Sequence, residues 1–197
     1  MFVEFHAVPY QSVISLDHGV SLERREMAEL LDIGTECPDV TFRQGRERVR
    51  LLDFKGEKNV IVAFYGAAFT GGWERELVGF QQKLAEFERL DTQILASSVD
   101  LFPAQNAFAA HCGINFMMGA DFPNHEAPRA FGVYDEERET NRRVTFIIDK
   151  SGVIRHVIDD PRDMERHSQE SLNINQSWGW DVDKKNRNIM PDQTVFT

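Results

Sequence analysis

The chain has 197 residues, 42% of them hydrophobic, enough for one domain with a real core and some extra segments. It carries 22 basic and 32 acidic residues, a net charge of −10, which argues against binding a phosphate backbone. No stretch approaches the ~20 apolar residues of a membrane helix, and two cysteines, Cys37 and Cys112, do not make a disulfide framework. The N-terminus shows no basic start followed by an apolar run, so a cytoplasmic protein is expected.

Residues 1–33 read as a leader. Ser21–Leu31 predicts a short helix there, with Ser21 as N-cap, Gly34 just past the end, and a weak stripe of Leu22, Met27, Leu30 and Leu31. Residues 34–160 alternate strand and helix signals and read as one domain. Val40–Arg43 and Val49–Leu52 predict a strand pair; its basic run ends at Asp53 and Glu57 and reads as a solvated surface. Asn59–Tyr65 is a continuous apolar run, the mark of a strand covered on both faces. Trp73–Leu90 predicts a long helix, Gln93–Val99 a second buried strand, and Pro103–Cys112 a helix with Pro in its first turn and Gly113 at its end. Glu126–Phe131 predicts a helical turn. Val144–Asp149 and Val153–Ile158 predict a hairpin around Lys150-Ser151-Gly152. This order implies an α/β fold, a mixed central sheet flanked by helices. Residues 161–197 read as a polar tail, with Trp178 and Trp180 expected to clip it onto its own domain or onto a partner protein.

Trp73, Leu77, Phe80, Leu84 and Phe87 step by 4, 3, 4 and 3, one face of an amphipathic helix. Trp73 therefore sits on the first turn, facing the core. The loop before it, Gly66–Gly72, holds three glycines and follows directly from the buried strand. A strand, a loop and a helix N-terminus suit anion chemistry, because free N–H groups and the helix dipole favour negative charge. A thiol there would be acidified. An indole neither ionises nor attacks.

Several blocks, taken in order, resemble the alkyl hydroperoxide reductase / thiol-specific antioxidant branch of the peroxiredoxins, over about Gly34 to Ile158. They are Gly34-x-x-x-Pro38-Asp39-Val40-Thr41, Val60–Tyr65, Glu76-Leu77, Phe80-Gln81, Leu84–Phe87 and Ser97–Asp100. Asp121-Phe122-Pro123, Ala130–Tyr134 and Arg143–Lys150 with Gly152 complete the set. The resemblance implies a thioredoxin-like fold and a homodimer; charge, hydropathy and ligand spacing predict no nucleic acid, membrane or metal partner, and no cofactor is expected.

The active motif of that family is Pro-x-x-x-Thr-x-x-Cys, in which the cysteine attacks peroxide and becomes a sulfenic acid. This chain reads Gly66-Ala67-Ala68-Phe69-Thr70-Gly71-Gly72-Trp73. By resemblance Thr70 matches the threonine, Arg143 the arginine that holds the thiolate, and Glu76 the glutamate that orients that arginine. Trp73 falls at the cysteine and Gly66 at the proline. The expectation is a peroxiredoxin-like protein without its peroxidatic cysteine, a non-peroxidase binding or regulatory module. The alternative is a thiol-dependent peroxidase working through Cys112. Against it, Cys112 lies at a helix C-terminus, where the dipole disfavours a thiolate. Cys37 neighbours Asp39, whose charge raises a thiol pKa. His111, Cys112 and His125 lack metal-ligand spacing, and Gly71-Gly72 lacks the Lys and Ser/Thr of a phosphate loop. Arg143 is expected to stack on the Trp73 ring.

Overall fold

A computed structural model describes residues 28–187, and for residues 179–187 their backbone alone. The helix expected over Ser21–Leu31 falls mostly outside the described residues. Its described end is not helical; the Leu31 N–H donates to the Phe131 carbonyl, and Leu30 and Leu31 pack on the core.

Strands β1 (Thr41–Gln44) and β2 (Glu47–Arg50) form the expected hairpin. The second strand stops two residues short of Leu52. The Leu51 N–H donates to the Val40 carbonyl, and a 3-10 turn, Leu51–Phe54, carries the Leu51 side chain into the core. Strand β3 (Asn59–Phe64) follows, buried at all six positions. The expected long helix is two, α1 (Trp73–Gln82) and α2 (Leu84–Arg89). At the junction the Lys83 N–H bonds the Phe80 carbonyl, three residues back, and this tightened turn ends α1. The apolar stripe survives the break, with Leu77, Phe80 and Phe87 in one buried cluster.

Next come β4 (Thr92–Ser97) and α3 (Phe102–Cys112), which ends at Gly113 in the left-handed region, φ 67°. Then come β5 (Met117–Met118), α4 (Glu126–Ala130), β6 (Tyr134–Asp135), β7 (Thr140–Asn141), β8 (Val144–Ile148) and β9 (Ile154–Ile158). The two-residue strands are too short to leave a periodic signal in sequence.

The central sheet has the order β5-β4-β3-β8-β9. β3 pairs in parallel with β4 and antiparallel with β8, so the sheet is mixed, as expected. Side chains alternate along β3. Ile61 and Ala63 join a cluster with Leu77, Phe80, Phe87, Phe108 and Leu172 from the helices of one face. Val60, Val62 and Phe64 join Phe42, Phe131, Val133 and Phe146 on the other.

The polar tail expected from Pro161 is, over residues 164–187, helix α5 (Met164–Arg187). It packs along α1. Its inward face runs Met164, His167, Ser168, Ser171, Leu172, Asn175 and Trp178, and His167, Ser168, Ser171, Leu172 and Asn175 are all buried. Most of that face is polar, so hydropathy gave no helix signal. Except for the Ser171 hydroxyl, its polar groups find local partners among the described residues. Thr92 Oγ1 donates to Asn175 Oδ1 (2.9 Å), Asn175 Nδ2 donates to the Ser171 carbonyl (2.8 Å), and Lys83 Nζ donates to Ser168 Oγ (3.3 Å). Trp178 packs against the core, as expected of it; the Trp180 side chain lies outside the described residues.

Candidate active site

The β3–α1 loop brings the expected residues together. At its end Gly72 caps α1 at φ 92°, and among the described residues no side chain caps the free N–H groups of the first turn. A Cβ at Gly72 would be strained, and would meet Arg143 Nη2 at 3.2 Å and Met164 Cε at 3.3 Å. The loop is pinned from the turn after β4: Asp100 Oδ2 accepts from the Ala68 N–H (2.6 Å) and from Ser98 Oγ (2.8 Å). Phe69, at φ 58°, is 60% exposed and leans on Phe108 and His111.

Trp73 is half-buried rather than inside the core, its ring against the cluster that holds Tyr65. Its indole Nε1 donates to Thr70 Oγ1 (2.7 Å), and the Thr70 hydroxyl donates to the Ala67 carbonyl (2.7 Å). The Arg143 Cζ lies 3.9 Å from the centroid of the Trp73 ring, the expected cation–π stack, of a kind worth roughly 0.5–2 kcal/mol. Glu76 and Arg143 are both buried, with Arg143 Nη1 3.3 Å from Glu76 Oε2. The angle is not that of a hydrogen bond, and among the described residues both Glu76 oxygens and Arg143 Nε and Nη1 lack one. Burial pushes the Glu76 carboxyl up, to about 7, against the pull of Arg143. Burial likewise lowers the Arg143 pKa, against Glu76.

His167 of α5 completes the group and had no signal in sequence beyond its place in the supposed tail. It is fully buried, with Nε2 2.8 Å from the Asp160 carbonyl, Nδ1 2.9 Å from Thr145 Oγ1 and 3.8 Å from Glu76 Oε1. A carbonyl only accepts, so Nε2 carries the hydrogen and neutral Nδ1 takes the Thr145 proton. Burial holds the His167 pKa below the ordinary imidazole value, although the Asp160 carbonyl opposes this.

The thiols are poorly placed for attack. Cys112 ends α3, and burial, with the charge of Glu74 on α1, raises its pKa. Cys37 is buried beside Asp39 and is pushed up to about 12, chiefly by burial. Thiols in this state present little thiolate at neutral pH. His111 and His125 lie in different parts of the fold, the second stacked on Tyr134.

A protein-family model described as the AhpC/TSA family matches residues 33–157. The chain belongs to the AhpC/TSA family. Among its AhpC/TSA relatives, alkyl hydroperoxide reductase E of Mycobacterium tuberculosis is 38% identical over 128 residues, 64% of this chain and 84% of that protein. Peroxiredoxin Bcp of Escherichia coli is 31% identical over 130 residues, 63% of this chain and 82% of that one. The crystal structure of peroxidoxin BcpB from Mycobacterium tuberculosis superposes with a TM-score of 0.69 at 23% identity, over 74% of this chain and 96% of that one. The fold is thus the thioredoxin-like fold of the peroxiredoxins, with a five-stranded mixed sheet flanked by helices. No helix among the described residues is long and apolar enough to cross a membrane.

Proposed function

We propose that this peroxiredoxin-family protein acts by binding or regulation rather than by peroxide turnover, with Trp73 at the family position of the peroxidatic cysteine. The observation that carries the reading is the Trp73 indole itself, bonded to Thr70 and covered by Arg143, where a reacting thiolate would need both groups. Nothing in an indole can form the sulfenic acid of a thiol peroxidase. The raised pKa values of Cys37 and Cys112 add support, since neither thiol is poised as a substitute.

The same reading makes the protein a cytoplasmic homodimer. Two cysteines left free suit a reducing compartment, and the dimer is carried over from the family resemblance.

Hydrogen peroxide and an organic hydroperoxide, each supplied with dithiothreitol, test the central claim. The expected result is no turnover, with Cys37 and Cys112 oxidised only as slowly as a free thiol, read by mass spectrometry. Fast turnover with a sulfenic acid on Cys112, abolished in Cys112→Ser, would overturn it and make the chain a peroxidase. Light scattering on the same preparation counts the copies, and a monomer would remove the dimer.

A further inference from the structure

The fit around Trp73 is made of three different contacts, two supplied by the β3–α1 loop and one by Arg143, just before β8. The first is shape. Gly66, at the start of the β3–α1 loop, has no side chain; a Cβ there would stand 3.0 Å from Trp73 Cζ2 and 3.1 Å from Thr140 Oγ1. Such distances are too close for ordinary carbon contacts. Gly66 does not occupy the left-handed region, so its backbone alone gives no reason for a glycine. The second is the 2.7 Å hydrogen bond from the indole N–H to Thr70 Oγ1. The third is the Arg143 guanidinium on the ring face, fixed from behind by Glu76.

We propose that Gly66, Thr70 and Arg143 form a matched seat for an indole, filled by the chain's own Trp73. Emptied, the seat takes a free indole-class ligand: a flat bicyclic aromatic with one N–H donor. This deepens the reading in which Trp73 closes the site. A bicyclic ring needs the room left by Gly66. Its N–H answers the Thr70 hydroxyl oxygen, held in place by its own bond to the Ala67 carbonyl. Its π-face answers a cation held nine-tenths or more out of water. Trp73 is only half-buried, so the emptied seat opens to solvent and a ligand has a way in.

The test is Trp73→Ala with indole, and with benzofuran, which has the same outline but no N–H. Indole is expected to bind saturably by calorimetry and to raise the Tm of the variant by several degrees. Benzofuran is expected to do clearly less, and the parent protein to respond to neither. Equal responses to both compounds, or none in a folded variant, overturn the seat. If Trp73→Ala does not fold, Trp73→Phe decides the matter, because it keeps an aromatic ring and loses the N–H. Thr70→Val is then expected to lower Tm more in the parent than in Trp73→Phe, and equal losses overturn the proposal. Failure here, in a protein without peroxide turnover, removes the seat alone. Peroxide turnover with indole binding intact removes the proposed function and leaves the seat.

Discussion

Glu76 and Arg143 bring opposite charges into a space that neither shares with water, and their 3.3 Å contact does not make up the loss of solvation for either. Removing one partner from such a pair strands the other, at a cost of about 3–5 kcal/mol. The pair and its neighbour His167 also give stability a pH signature of two opposite signs. The Glu76 carboxyl binds its proton more tightly folded than unfolded. Its contribution is full below the unfolded pKa, near 4.5, and is lost as pH rises to about 7. His167 binds its proton less tightly folded. Its contribution is full above the unfolded value of 6.5 and is lost as pH falls through the lowered folded value. Urea midpoints from about pH 4 to about pH 8 should therefore show the parent losing ground to Glu76→Gln as pH rises, and to His167→Gln as pH falls. Parallel curves for the parent and either variant would contradict the assignment for that residue.

At the scale of elements, the α1–α5 contact depends on Gly79. A Cβ there would stand 2.8 Å from Ser168 Oγ, so the glycine sets how close the two helices come. Gly in a helix interior gives up about 1 kcal/mol relative to Ala. Gly79→Ala is therefore expected to gain up to about 1 kcal/mol in a Ser168→Ala background, where only the Ser168 Cβ remains, 3.5 Å away. With Ser168 present, the same change should lose that gain or turn destabilising, a coupling readable by urea unfolding. Equal effects in both backgrounds would show that the helices have slack. The break at Lys83 was not legible for a related reason. No Gly or Pro marks it, and the apolar stripe runs through it without interruption.

For the whole molecule, sequence reasoning reached what leaves a hydropathy signal. The run at Asn59–Phe64, the stripe at Leu77, Phe80 and Phe87, and the turns at Gly113 and Gly152 place the sheet and its covering helices. The Trp73–Arg143 stack was also within reach, because the residues were placed by resemblance and an indole beside a guanidinium has few better arrangements. What stayed hidden was α5 and, with it, His167, Ser168 and Asn175. These residues are buried through hydrogen bonds rather than through apolar area, and their spacing is invisible to any scale that rewards carbon.

That polar seam has a thermal consequence. Heat capacity and denaturant sensitivity both follow the surface an opening exposes, with apolar surface raising the heat capacity and polar surface lowering it. When α5 parts from α1 it uncovers hydroxyl, imidazole and amide groups together with Leu172 and Trp178, whereas opening β3 uncovers six buried residues, four of them aliphatic and one aromatic. Native-state hydrogen exchange should therefore show α5 amides whose protection falls less steeply with urea than that of β3 amides. A steep urea response in α5 would mean that it opens only together with the sheet. With the shallower response, the helix that covers the Glu76–Arg143 pair would be held by contacts less sensitive to temperature than those of the aliphatic core.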